Sequence, residues 1–211
     1  MSSEARNSIL KKIRMALTQS TPLPFPATDN TEPVMQPLQQ DILVEFAEQF
    51  TKLQGKFAFC QDLGELQQQF EALRAQQGWT RLFKRGDLLP GLVSDTHWTD
   101  DLVSSDASIT DCEALVARTG SLVLSAANSG GRLTSVYAPV HVCVAYASQL
   151  VYDISDALSL LQKKYKGQLP SLVTFATGPS RTADIEKTLV TGVHGPKEVY
   201  LFLVDDLGAT S

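Results

Sequence analysis

A three-layer α/β sandwich with a mostly parallel sheet is the fold that this 211-residue sequence predicts. Short runs that are apolar almost throughout, residues 140–146 and 199–204 above all, read as strands buried on both faces. Between such runs stand segments with apolar residues three and four apart, and alternation of strands with helices is the pattern of a parallel sheet covered by crossovers. At 43% hydrophobic and 19% charged residues, the chain also has enough apolar side chains to fill a core.

Residues 3–18 read as an amphipathic helix, with Ile9, Leu10, Ile13, Ala16 and Leu17 on one stripe and Lys11, Lys12 and Arg14 between them. Pro22, Pro24, Pro26, Pro33 and Pro37 then forbid helix and sheet alike, so residues 19–37 read as an extended linker. The predicted organisation is therefore an N-terminal helix (1–18), a proline-rich linker (19–37) and one α/β domain (38–211). A tethered apolar stripe must dock on its own domain, on a second copy in a homo-oligomer, or on another protein.

Within the domain, residues 38–54 are predicted helical and 56–60 a strand. Residues 62–77 form a helix with Leu63, Leu66, Phe70 and Leu73 on one face and Gly78 as its stop signal. A strand is expected at 79–83 and irregular chain at 84–110, followed by a short helix at 111–117. Residues 121–125 read as a strand, 128–131 as a turn and 140–146 as a buried strand. A helix at 154–165, a strand at 172–176, a short helix at 183–190 and a strand at 199–204 complete the pattern.

Eighteen Lys and Arg against 23 Asp and Glu give a formal net charge of −5, which argues against nucleic acid or an anionic membrane as the main partner. Cys60, Cys112 and Cys143 are too widely spaced for a zinc ribbon or an iron–sulfur centre, so this chain is expected to hold no cluster or other cofactor itself. Neither HExxH nor His-x-His occurs, and no metal site is predicted. The opening Met1-Ser2-Ser3-Glu4-Ala5-Arg6 lacks the apolar stretch of a signal peptide, and nowhere do 18 apolar residues run together. A cytoplasmic location is the expectation.

Three segments carry candidate chemistry. In the string from Ala176 to Glu186, an apolar strand runs into Gly178-Pro179, and Ser180 or Thr182 is placed to cap a following helix. Free amides at a helix start, the neighbouring hydroxyls and the Arg181 guanidinium would together hold a small anion. Asp184 and Glu186 either complement the helix dipole or act as acid–base groups. The second segment, Thr119-Gly120-Ser121, offers two hydroxyls and an open backbone suited to phosphate or carboxylate, and is equally a common tight turn. Because it precedes a strand, a simple parallel sheet puts it at the edge opposite Ser180. The third contains Arg132 after a glycine turn and His141 at the start of a buried strand, where a hydrogen-bonded core histidine is the commoner outcome. His194 stands between glycines in Gly192-Val-His-Gly-Pro196, an arrangement that fits close backbone packing or the approach of a ligand.

The string Gly178-Pro-Ser-Arg-Thr-Ala-Asp-Ile-Glu186, then Gly192-Val-His-Gly-Pro196 and an apolar strand ending in Asp205-Asp206, resembles the lactate-utilisation C proteins of the LUD-domain family. Thr119-Gly-Ser121, Arg132-Leu-Thr-Ser135 and Pro139-Val-His141 fall in the family's order, so the likeness covers residues 109–206. It implies the fold of the glucosamine-phosphate deaminase, ribose-phosphate isomerase and CoA-transferase group. It also implies a part in oxidising L-lactate to pyruvate alongside companion proteins that carry iron–sulfur clusters. The chain departs from the family at Arg118, where an acidic residue is usual before Thr-Gly, which implies a missing carboxylate or a more anionic ligand. The expected role is a non-cluster subunit that binds a small anion through Ser180, Arg181, Thr182, Thr119, Gly120, Ser121, Arg132 and His141. A stand-alone enzyme on a phosphorylated or CoA-linked small molecule, with Asp184, Glu186 and His194 as catalytic candidates, and a regulatory ligand-binding module are the alternatives.

Overall fold

In the computed structural model, which describes residues 3–18, 37–85, 92, 97–127, 131–185 and 188–208, the chain divides into two units, Met1–Pro37 and Leu38–Ser211. The first contains helix α1 (Ser3–Leu17), along which Ile9, Leu10 and Ile13 are exposed. Linker residues 19–36 lie outside the described residues.

The second unit runs α2 (Ile42–Lys52), β1 (Lys56–Cys60), α3 (Leu63–Gln77), β2 (Leu82–Lys84), β3 (Ala107–Thr110), β4 (Ala114–Val116), β5 (Ser121–Ser125), α4 (Thr134–Tyr137), β6 (Val140–Tyr146), β7 (Leu150–Val151), α5 (Ile154–Lys164), β8 (Val173–Ala176), β9 (Arg181–Ile185), β10 (Thr188–Thr191) and β11 (Glu198–Val204). Five strands form a parallel central sheet in the order β1-β11-β6-β3-β2. Its inner strands β6 and β11 are apolar almost throughout because both faces are covered. In β11, Tyr200, Phe202 and Val204 join the core on one face, while Val199, Leu201 and Leu203 join the core on the other. Helix α3 covers the first face with Leu66 and Phe70, whose ring meets Phe202 edge-on at 5.9 Å. Helix α2 covers the second face with Phe46 and Phe50, stacked 5.6 Å apart. Each such aromatic, wholly buried, contributes on the order of 1.5–3 kcal/mol.

A second sheet, ordered β7-β4-β5-β8, shares that face with α2. Leu115, Leu122 and Leu124 turn towards α2 and the central sheet, whereas Ala114, Val116 and Val123 pack against Ala157 and Leu161 of α5. The layers are thus α3, the central sheet, and α2 with the second sheet, with α5 closing the outside. Asp41, Asp62 and Asp153 cap α2, α3 and α5 through their side chains, and Gly78 ends α3 in the left-handed conformation at φ 69°.

Three expectations are corrected. Residues 183–190 form no helix: Arg181–Ile185 and Thr188–Thr191 pair as an antiparallel hairpin. Thr182, Ile185, Thr188, Val190 and Thr191 are β-branched, and eight residues are too few to hold a helix against that preference. Residues 111–117 are not helical either, since Ala114–Val116 is a strand, β4, buried between β5 and β7. A run of four apolar residues carries no usable period. Finally, the stretch 84–110, expected to be irregular, contains strand β3, every residue of which is buried. Its Ser108 and Thr110 mask the apolar signal, and both are hydrogen-bonded inside: Ser108 Oγ donates to Thr134 O at 2.6 Å, and Thr110 Oγ1 lies 2.8 Å from His141 Nε2. Among the described residues, no helix is long and apolar enough to cross a membrane.

Candidate functional site

Strand β5 runs antiparallel to β8, pairing Leu122 with Ala176, so the start of one strand lies beside the end of the other. This register brings Ser121 to Thr177, three residues before Ser180, whereas a simple parallel sheet would put the 119–121 turn at the edge opposite Ser180. Thr119 Oγ1, Ser121 Oγ and Thr177 Oγ1 make a continuous row, 2.7 and 2.8 Å apart. Ser121 is buried and Thr177 exposed, so the row leads from the interior to solvent. Glycines flank it for steric reasons. A Cβ on Gly120 (φ 59°) would sit 2.5 Å from Phe50 N, and one on Gly178 (φ 79°) would sit 2.4 Å from Leu53 O. Both turns therefore press directly on the last turn of α2 and the residue that follows it.

Beyond Gly178, Ser180 lies within the turn that carries His194. Its amide donates to Pro196 O at 3.0 Å, and its carbonyl accepts from Gly192 N–H at 2.9 Å. The amide predicted to face an anion is thus already bonded, and the hairpin leaves no helix N-terminus here. Arg181 and His194 are exposed beside Ser180. Thr182 and Asp184 are carried by β9, and Glu186 lies outside the described residues. The structure thereby places Thr119, Gly120 and Ser121 beside Thr177, and Ser180 and Arg181 beside the turn that carries His194.

Arg132 lies elsewhere. It follows Gly131 in a cleft of about 560 Å³ lined also by Arg85, Ala126, Leu133 and Ser171. Ala126 follows β5 and Ser171 precedes β8, so this cleft is at the opposite end of the second sheet from the hydroxyl row. Arg132 Nη2 donates to Ser171 Oγ at 2.6 Å. His141 joins neither place. It is 1% exposed on β6 beside β3, and burial pushes its imidazole down to about 4. Arg118 is paired with Asp153 at 2.8 Å, and its guanidinium holds that carboxyl below the usual carboxylate range. In this chain the residue in the acidic position therefore fastens the N-terminus of α5.

Several residues escaped sequence reasoning. Thr177 was within the Ala176–Glu186 string but lacked a visible partner. Arg85 directly follows the short strand β2, and a basic residue beyond a strand's carboxyl end was the available signal. Glu113 carries no such signal amid Cys112, Ala114 and Leu115. Its buried carboxylate accepts from Ser125 Oγ (2.5 Å), Tyr165 Oη (2.6 Å) and Lys164 Nζ (2.6 Å). Among the described residues, no group of three or more His, Cys, Asp or Glu side chains is arranged to hold a metal ion.

Comparison with known proteins gives this arrangement a family context. Over 103 residues the chain is 36% identical to lactate utilization protein C of Shouchella clausii, a match covering 48% of this chain and 45% of that protein. It is 35% identical over 104 residues to lactate utilization protein C of a Geobacillus species, covering 48% and 43%. The matched stretch thus spans a little under half the length of each relative. The crystal structure of a DUF162 family protein from Deinococcus radiodurans superposes with a TM-score of 0.60 at 17% identity, over 77% of this chain and 96% of that one, which establishes the shared fold. Residues 3–204 match the model of the LUD domain, and the chain belongs to the LUD domain family.

Proposed function

We propose that this chain serves bacterial L-lactate utilisation as a component that binds a small anion, beside companion proteins that carry iron–sulfur clusters. In the overall reaction lactate loses two electrons and two protons to become pyruvate, and the clusters of the companions take the electrons. Its relatives named lactate utilization protein C support the pathway. The observation that carries the anion-binding role is Arg132: it stands in an open cleft, is steered by Ser171, and has no carboxylate partner among the described residues. A guanidinium so placed presents its remaining N–H donors to a carboxylate or phosphate.

The test is genetic. Removing the gene from its host should abolish growth on L-lactate while leaving growth on pyruvate intact, and the wild-type gene should restore it. Unimpaired growth on L-lactate would sink the assignment. Cell extracts of the deletion strain separate this reading from a stand-alone enzyme. Purified chain added alone should turn over no lactate, and added to the companions it should restore lactate-dependent reduction of their clusters.

A further inference from the structure

The arginine cleft holds more positive charge than a lactate-like monoanion needs. Arg85 follows β2 at the carboxyl edge of the central sheet, the side on which open α/β sheets bind ligands. Its side chain crosses to the Gly131 backbone, where a Cβ would lie 2.8 Å from Arg85 Nη1. Gly131 has φ 61°, so the residue that suits this turn is also the one that leaves room for the guanidinium. The next residue is Arg132, tied to Ser171 Oγ. Two guanidinium groups, from segments more than forty residues apart in sequence, therefore line one cleft.

Neither arginine makes an ion pair among the described residues, although six other pairs do form there. Two like charges that share a cleft repel one another, and a dianion relieves that repulsion where a monoanion leaves one charge over. Ser171 Oγ accepts from Arg132 and keeps its own proton to donate. Three donors around one cleft suit a group with three terminal oxygens on one centre, more than they suit two carboxylates held apart. At about 560 Å³ the cleft also exceeds what such a group fills, and Leu133 and Ala126 offer apolar wall to the rest of a molecule.

We infer that Arg85, Arg132 and Ser171 form a site for the dianionic phosphoryl group of a small phosphomonoester. The inference rests on the anion-binding part of the proposed function and names the class of ligand for that site. It is independent of the pathway.

Calorimetry of the full chain with methyl phosphate, malonate and L-lactate, in parallel titrations, tests it. Methyl phosphate should bind at least tenfold more tightly than either carboxylate, and more tightly at pH 7 than at pH 5, because its second proton leaves near pH 6. Arg85→Ala and Arg132→Ala should each weaken it about tenfold or more. Arg132→Lys, which keeps the charge but loses the fork, should fall between wild type and Arg132→Ala. Melting curves should show all three variants folded. Malonate or L-lactate binding as tightly as the phosphomonoester would overturn the phosphoryl assignment while leaving an anion site in place. Phosphomonoester binding unchanged in both alanine variants would overturn the site. No anion binding at all would overturn the anion-binding reading with it, and the growth experiment would still report on lactate utilisation.

Discussion

Burial sets the charge state of His141 and, through it, part of the chain's response to pH. The imidazole is pushed from 6.5 to about 4 because water is excluded around it, so it is neutral at pH 7 in the folded chain. The unfolded chain takes up a proton below about pH 6.5, and the folded chain resists doing so until about pH 4. Stability contributed by the neutral ring is therefore complete above pH 6.5 and lost as the pH falls towards 4, about 3 kcal/mol in all. Denaturant titrations from pH 7.5 to 4 should show this decline, and His141→Gln should flatten it; an unchanged slope in the variant would refute the assignment. Glu113 acts in a lower window. Burial alone would raise its carboxyl, but the hydrogen bonds from Lys164, Ser125 and Tyr165 outweigh burial and hold it below the usual range. Its contribution is lost only below about pH 4, where the unfolded carboxyl also protonates. At this scale the sequence was informative where chemistry is local. A histidine in an apolar strand already favoured the core. Arg85 and Glu113 were opaque because their partners, Gly131, Lys164 and Tyr165, lie about fifty residues away in the chain.

Elements meet closely where glycines permit, and the glycines differ in what they permit. Gly78 and Gly120 are both left-handed, at φ 69° and 59°. A Cβ on Gly78 would meet nothing within 4 Å, so Gly78→Ala carries the backbone cost alone, about 1–2 kcal/mol. On Gly120 the same atom would press into the α2 backbone, 2.5 Å from Phe50 N and 2.7 Å from Gln49 C, adding about 1–3 kcal/mol of overpacking. Urea unfolding should rank Gly120→Ala as clearly the more destabilised of the two; equal losses would mean that the α2 contact yields freely. Strands and helices with strong periods were legible along the chain, β1 and β6 to the residue and α3 nearly so. Orientation was not. Whether β5 runs parallel or antiparallel to β8 depends on a long-range pairing, and that pairing alone decides whether Thr119 and Ser121 face Thr177. The hairpin at 181–191 escaped for a related reason: its strands are stabilised by each other, not by a period visible in either.

At the scale of the whole molecule, the cores show where stability resides. Among the described residues, the clusters of buried side chains are built from residues 46–204, and α1 belongs to the separate unit Met1–Pro37. A 15-residue helix with Ile9, Leu10 and Ile13 exposed along its length has little reason to persist alone in water, where helices of this size are marginal. Such a stripe needs a surface to dock on, and deletion of the segment tests which one. Deleting residues 1–36 should leave the melting temperature of the remaining chain within a few degrees of the full-length value, since a change of 1 kcal/mol would itself move it only about 2–4 °C at this size. The same deletion should change the mass of the assembly measured by light scattering, or reduce the capture of companion proteins from the host. A truncated chain that is unfolded, or that melts far below the intact protein, would mean that α1 completes the core of its own domain and that its stripe is spent there.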